Sequence, residues 1–239
     1  MAFESYLNYG LLFWNKDLIR QDGKESIQLI KIYIARHGET TWNVEGRIQG
    51  RSDPGLSPKG HDQSLGLLKQ LQHRPISAIY TSTLQRSILT AQPISTHLSL
   101  PMQRQSELDE IAFGILEGRN LYHFDEVIKN EWERFKENRF TYRIPGAENY
   151  NDVANRVRLF AEKILQHHRD QEILVVGHRV VNRLLIGILL EYPPDRVLKI
   201  EQTHDCLYLI QRNDETKVYH YIDGEVREGL SWMTQDSVV

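Results

Sequence analysis

Two histidines, two arginines and one carboxyl group in this chain stand where a fold can bring them to one anion. Ile30, Ile32 and Ile34 alternate with Lys31 and Tyr33 and run straight into Arg36-His37-Gly38-Glu39. The alternation predicts a strand with one well-buried face, and Gly38 permits a sharp turn or a close backbone approach. His37 then sits just past a strand end, where open α/β sheets place their ligands. Arg36 offers a guanidinium fork suited to phosphate oxygens. A second imidazole, His178, directly follows Ile173-Leu174-Val175-Val176-Gly177, a continuous apolar run of the kind that forms a central strand covered on both faces. If the two strands are parallel neighbours, both imidazoles meet at one sheet edge. Arg86 adds a second fork just after the short strand Ser77–Thr81, and Glu110 lies in a loop that can close on the same pocket.

This set suits phosphoryl transfer. A phosphomonoester carries about two negative charges near neutral pH, and its transition state spreads charge over the equatorial oxygens. Pre-aimed arginines and a histidine stabilise that charge without reorganisation. His37, unprotonated on one nitrogen, can attack phosphorus. Glu110, kept protonated by the dianion and a partly dry pocket, can hand its proton to the leaving alkoxide and later deprotonate water. The chemistry requires no metal and no cofactor.

The elements that must position these groups alternate strand and helix, which predicts an α/β fold with a mainly parallel sheet. Ser57-Pro58 reads as a helix start, with Leu65, Leu68 and Leu71 as its apolar stripe. Ser82 is placed to cap the helix carrying Arg86, and Pro93 inside that helix predicts a kink or a lost hydrogen bond. A short strand is expected in Pro101–Glu107, a helix from Leu121 to about Lys136, and a long helix capped by Asn151 or Asp152. Val180 to Leu190 reads as a buried helix stopped by Pro193-Pro194, followed by closing strands Leu207–Gln211 and Lys217–Ile222. The resulting division is an N-terminal extension over 1–26, a domain over 27–229 with 111–150 as an excursion over the strand ends, and a frayed tail over 230–239.

Composition sets the outer limits. The 239 residues carry a net charge of −3, so no global field draws nucleic acid or anionic lipid, and anion binding must come from local arginines. A single cysteine, Cys206, allows no internal disulfide and reads as a buried strand residue in a reducing setting. No apolar run reaches the ~18 residues of a membrane helix. The N-terminus lacks the basic region of a signal peptide, which makes the cytoplasm the expected compartment. His61, His73, His97, His167 and His168 read as surface residues with no metal-ligand context, and His204 as a structural residue near the pocket. Arg119, Arg139 and Arg143 are either solvated or turned toward a substrate carboxylate or second phosphate. The aromatic prefix is compatible with a homodimer.

At this point a resemblance enters. Arg36-His37-Gly38-Glu39-Thr40-Thr41-Trp42-Asn43, Gln49-Gly50 with Asp53, Leu56-Ser57-Pro58-Lys59-Gly60, Tyr80-Thr81-Ser82-Thr83-Leu84-Gln85-Arg86-Ser87, Glu107 to Gly118, Pro145-Gly146-Ala147-Glu148 and Val175-Val176-Gly177-His178 follow in order. Together they resemble the histidine phosphatase, or phosphoglycerate mutase-like, superfamily over about residues 30–212. The resemblance implies a three-layer α/β/α sandwich. It implies His37 as the phosphorylated nucleophile and Glu110 as general acid and base. Arg36, Arg86 and His178 would hold the phosphoryl group, with Asn43 in contact and Gln49 near the substrate. Two departures stand out. Arg179 replaces the glycine common after the second histidine, and Glu110-Ile111-Ala112-Phe113-Gly114 lacks the basic pair of cofactor-dependent mutases. The expectation is a phosphomonoesterase acting through phosphohistidine on a small metabolite such as a sugar phosphate or a phosphoglycerate-type compound. The alternatives are mutase-type transfer or a non-catalytic phosphate-binding module.

Overall fold

The structure, a computed structural model, describes residues 29–213, 215–222 and 224–232; the expected N-terminal extension and the end of the tail lie outside them. The strands are β1 (Ile30–Arg36), β2 (Ile76–Thr81), β3 (Met102–Arg104), β4 (Gln171–Gly177), β5 (Leu207–Arg212), β6 (Thr216–Ile222) and β7 (Glu225–Glu228). They form one sheet in the order β3-β2-β4-β1-β5-β6-β7. The helices are α1 (Thr41–Val44), α2 (Pro58–Leu71), α3 (Gln85–Leu98), α4 (Glu126–Glu137), α5 (Tyr150–His167), α6 (Arg179–Leu189) and α7 (Pro194–Val197).

The expected parallel sheet accounts for β3, β2, β4 and β1. Beyond β1 the pairing turns antiparallel, because β5, β6 and β7 follow one another through short turns that only hairpins allow. The parallel half carries the chemistry. β1 and β4 are adjacent with Arg36 opposite Gly177, so His37 and His178 leave the sheet side by side.

Both faces of the sheet are covered, giving three layers. Ile32, Ile34, Ile173 and Val175 pack with Val153, Val157 and Phe160 of α5 and Val181 and Leu184 of α6. On the other face Tyr33, Ala35, Leu174 and Val176 pack with Leu67 and Leu71 of α2 and Ala91 and Ile94 of α3. Each such aliphatic side chain contributes about 1.5–3 kcal/mol relative to exposure. β1 is therefore covered on both faces and not one. Its hydroxyl-bearing Tyr33 is buried because it donates to Glu172 Oε2 at 2.9 Å, and Lys31 meets the same carboxylate at 2.6 Å.

Several local expectations shift. The buried stripe of α2 runs through Ser64, Leu67 and Leu71, leaving Leu65 half-exposed. Ser57 caps this helix as expected, accepting from Gly60 N. The cap of α5 is Asn149, in a reciprocal capping box with Asp152, two residues before Asn151 and three before Asp152, the expected positions. α4 is capped by Asp125, whose carboxylate accepts from Ile128 N, so Leu121 to Phe124 stay outside the helix. Pro93 lies within α3, and Ser64 Oγ of α2 donates to Thr90 O at 2.8 Å with the Leu89 carbonyl 3.2 Å away. The tail is not frayed at its start: Leu230 is buried, Ile200 bridges Trp232, and the Trp232 ring stacks on Tyr192. Among the described residues no helix is long and apolar enough to cross a membrane.

Candidate active site

His37 leaves β1 with its backbone N–H on Gly177 O at 2.9 Å, and the next turn is held by Gly38 N donating to Thr90 Oγ1 at 2.8 Å. Gly38 is required by contact: a Cβ there would lie 2.5 Å from Gly60 O. The turn delivers the imidazole into the sheet edge with Nδ1 2.8 Å from Gly38 O. A carbonyl only accepts, so Nδ1 carries the proton and Nε2 keeps its lone pair. Burial holds the His37 pKa well below its ordinary value, and the neighbouring His178, Arg86, His204 and Arg36 push the same way. The ring is neutral at neutral pH, as a nitrogen nucleophile must be.

His178 caps the sequence from β4 into α6 without a side-chain capping bond. Its ring centroid lies 5.1 Å from that of His37. Nδ1 accepts from Arg86 Nε at 3.2 Å, and Nε2 sits 2.7 Å from Ser82 Oγ. The arginine can only donate, so Nε2 bears the proton and Ser82 accepts it. Burial first, then Arg86 and Arg36, depress the pKa of His178. Ser82 is thus not the cap of α3, whose first position is flanked by Leu84 with no side-chain cap. Its hydroxyl takes Leu84 N at 3.2 Å and serves His178.

Arg86 is fully buried at the start of α3. Nη1 donates to Ser52 O at 2.6 Å and Nη2 to Gly50 O at 2.7 Å, with Asp53 Oδ1 3.4 Å from Nη1. Most of its five N–H groups therefore fasten the 50–53 loop and His178, which leaves a narrower reach toward an anion than the sequence suggests. Asp53 itself accepts from Gln85 N at 2.5 Å and fixes the helix start. Arg36 differs. Nη1 donates to Gln202 O at 3.1 Å, but its buried Nε has no hydrogen-bond partner among the described residues. Burial lowers its pKa to about 9, so it stays a cation at neutral pH.

Glu110 is buried in the loop after Ser106–Leu108, with Oε1 on Ile111 N at 3.0 Å and Oε2 3.4 Å from Val180 N of α6. The loop is held by ion pairs the sequence does not reveal. Arg156 of α5 donates to Glu107 O at 2.7 Å, Glu110 O at 3.3 Å and Glu148 Oε1 at 3.0 Å. Arg51 joins Asp109 at 2.7 Å to Glu148 at 3.3 Å, and Asp109 also accepts from Thr83 N. Hydrogen bonding and charge from Arg156 outweigh burial and lower the Glu148 pKa.

A cavity of about 150 Å³ opens where these elements meet; its lining includes Arg36, His37, Asn43, Gln49, Arg86 and Glu110. His178 is fully buried beside it, its ring 5.1 Å from that of His37 and its Nδ1 accepting from Arg86 Nε. Asn43 turns its Oδ1 to Thr40 N in a capping box, and Gln49 Oε1 takes Thr40 Oγ1 at 3.0 Å. Residues 111–150 supply much of the remaining wall, including Phe113, Trp132 and Arg139. Arg143 instead pairs with Asp152 at 2.5 Å, and Arg119 is not part of the wall.

Three residues escaped sequence reasoning or were weighed too lightly. His204 Nδ1 lies 2.7 Å from His37 O and its ring 5.3 Å from the His37 ring. Burial is the main reason its pKa falls to about 3. Asn182 Nδ2 donates to Ala35 O at 2.9 Å and Gln202 Nε2 to Ile34 O at 2.9 Å, bracing β1 just before Arg36. Only their position near the histidines could have signalled them. Cys206 is buried as expected but sits just before β5 and not in it, and burial pushes its thiol up to about 12. A larger cleft of about 300 Å³ also touches Arg36 and His204, but its lining does not include His37, Arg86 or Glu110.

Comparison with known proteins agrees with this fold. The chain is 32% identical over 162 residues to phosphoserine phosphatase 1 of Hydrogenobacter thermophilus, covering 68% of this chain and 77% of that one. It is 30% identical over 165 residues to a probable phosphoglycerate mutase of Escherichia coli, covering 69% and 77%. The solved structure of YhfR from Bacillus stearothermophilus superposes with a TM-score of 0.69 at 26% identity, covering 84% of this chain and 96% of that one. The profile of the histidine phosphatase superfamily (branch 1) matches residues 32–223, and the chain belongs to that superfamily.

Proposed function

We propose that the protein hydrolyses a small phosphomonoester through a phosphohistidine at His37. The observation that carries this reading is the Nδ1 contact with Gly38 O, which leaves Nε2 unprotonated in a cavity shared with Arg36, Arg86 and Glu110. His37 Nε2 attacks phosphorus as the bond to the leaving oxygen breaks, and Glu110 gives that oxygen its proton. Glu110 then takes a proton from water. The hydroxide oxygen attacks phosphorus, the P–N bond breaks, and inorganic phosphate leaves with His37 restored. Arg36 and Arg86 hold the equatorial oxygens, with the Nδ2 group of Asn43 and Gln49 at the rim.

Mutase-type transfer is a second reading, favoured by the identity to a probable phosphoglycerate mutase. Against it, the loop from Glu110 to Gly114 carries no basic side chain to hold a phosphoglycerate in two orientations. The test is a phosphomonoester panel with rapid quenching and peptide mapping. A base-stable, acid-labile phosphoryl group on the His37 peptide, with phosphate release abolished in His37→Ala, is expected. Turnover by His37→Ala at the wild-type rate would overturn the reading. Interconversion of 2- and 3-phosphoglycerate faster than phosphate release would select the mutase.

A further inference from the structure

A second opening beside the nucleophile is not used by the proposed reaction. It is the cleft of about 300 Å³ between one face of α2 and the segment from His204 to Leu207. That size stands at the lower end of small-molecule sites. Arg36 lines both this cleft and the active-site cavity, whereas His37, Arg86 and Glu110 line only the cavity.

The helix wall leaves room on purpose. Asp62, Gly66 and Gln70 recur every four residues and so share one side of α2. A glycine inside a helix is the least favourable choice after proline. Gly60, earlier in the same helix, is demanded by contact, since a Cβ there would lie 2.0 Å from Glu39 O. Gly66 is not: a Cβ on it would meet no atom within 4 Å. What Gly66 supplies to this half-buried wall is empty space.

The opposite wall carries His204. Its Nδ1 donates to His37 O at 2.7 Å, so Nε2 keeps a lone pair, and among the described residues that nitrogen has no hydrogen-bond partner. The charge of Arg36 reaches the same imidazole, and the buried Nε of Arg36 is likewise without a partner. One of these groups can only accept and the other can only donate. Along the rim Asp62 and Asp205 only accept, Lys59 only donates, and Gln63 and Gln70 do both. The rim is partly fixed, since Gln63 Nε2 donates to Asp205 Oδ2 at 3.1 Å and Lys59 lies 3.6 Å from Glu39.

Among the described residues of the cleft, the charges of Arg36 and Lys59 are balanced by Asp62 and Asp205, whereas arginines outnumber carboxylates in the active-site cavity. A phosphomonoester is therefore drawn to the cavity and not to the cleft. The cleft suits a neutral molecule whose edge both donates and accepts, and a hydroxyl does both. Ala35, Leu67 and Leu207 add apolar surface for the C–H face of a ring.

We infer that this cleft binds a neutral polyhydroxylated ring, a monosaccharide, beside the active-site cavity and separately from the substrate. Ring hydroxyls donate to His204 Nε2 and to the carboxylates of Asp62 and Asp205, and accept from Arg36 and Lys59. The inference is independent of the hydrolase reading, because nothing in it requires turnover.

The experiment titrates the full chain, labelled with ¹⁵N-histidine, with D-glucose and D-ribose. Calorimetry finds binding in the millimolar range expected for about a dozen heavy atoms. The His204 Nε2 resonance moves upfield as it gains a donor. Gly66→Leu fills the space and abolishes binding, with a melting temperature no lower than that of wild type, since leucine is the better helix former. Asp62→Asn, a change at an exposed position, weakens binding severalfold. Absence of sugar binding would overturn the inference. So would binding undiminished in Gly66→Leu or an unmoved His204 resonance, either of which puts the sugar elsewhere. Tighter binding of L-glutamine than of either sugar would replace the neutral ring with a zwitterion and overturn it too. None of these outcomes touches the hydrolase reading, which stands or falls on His37→Ala.

Discussion

Arg86 Nε donates to His178 Nδ1 across 3.2 Å, tying the first turn of α3 to the end of β4. The bond exists only while His178 is neutral, because a protonated Nδ1 has no lone pair to offer. The Arg86 guanidinium, which lines the cavity, is thus aimed by a buried imidazole.

Acid should therefore undo the fold. His37, His178 and His204 all have folded pKa values below the unfolded value of about 6.5, His204 at about 3. Between those values the unfolded chain binds more protons, so stability rises with pH and is fully present above about 6.5. Falling pH removes it progressively until each folded pKa is passed. For His204 the loss from pH 7 to pH 5 is on the order of 2 kcal/mol, and His37 and His178 add to it in the same direction. Urea midpoints measured at both values check this, and a flat profile would contradict it.

Glu110→Gln removes the proton donor and leaves the shape. Phosphate release from an alkyl phosphate should drop by roughly 10²–10⁴-fold. p-Nitrophenyl phosphate should suffer less in its first step, since nitrophenolate leaves without a proton. A uniform loss on both substrates would mean that Glu110 positions and does not transfer protons.

His204 Nδ1 meets His37 O, so on the proposed mechanism it steadies the nucleophile through its main chain. His204→Asn keeps a donor near that oxygen, whereas His204→Leu does not. The leucine variant should lose kcat with KM nearly unchanged and form phosphohistidine more slowly, while asparagine recovers much of the rate. Equal behaviour of the two variants would reduce His204 to packing.

Arg156→Met strips Glu148 and the carbonyls of Glu107 and Glu110 of their shared donor. Lost charged hydrogen bonds of this kind are worth about 1.5–3 kcal/mol each before relaxation. The midpoint of urea unfolding should fall accordingly, and kcat should fall with it because Glu110 loses its anchor. Unchanged kcat in a destabilised variant would separate the loop's support from its chemistry.

Ser64 Oγ on α2 donates to the Thr90 carbonyl of the facing α3, with the Leu89 carbonyl also in reach. Ser64→Ala should cost about 1 kcal/mol by thermal melting, without altering turnover.

The parts of the site legible in the sequence were those that end strands. His37 and His178 announce themselves because an apolar run stops at each, and the parallel pairing of β1 with β4 does the rest. The wider pattern of alternating strands and helices, with capping at Ser57, is equally readable, whereas α6 ends at Leu189, ahead of the expected stop, and Pro193 caps α7. What stayed hidden depends on contacts between distant segments. Ser82 reads as a cap until His178 arrives beside it, and Arg156 reads as a helix charge until Glu148 and Glu110 fold over it. The phase of α2 was misjudged for the same reason. Its leucines surround the helix too evenly for periodicity to choose a side, and the choice falls to Tyr33 and Ala35 beneath it. The helix of the excursion starts late because Asp125 competes for its first turn.

The proton on His37 is placed by Gly38 O, an atom every residue possesses. Enzymes that orient an imidazole with an aspartate can lose that orientation to a single codon change. Here the direction of the reactive lone pair is inherited from the path of the main chain, so it survives any drift in sequence that leaves the bend after β1 undisturbed.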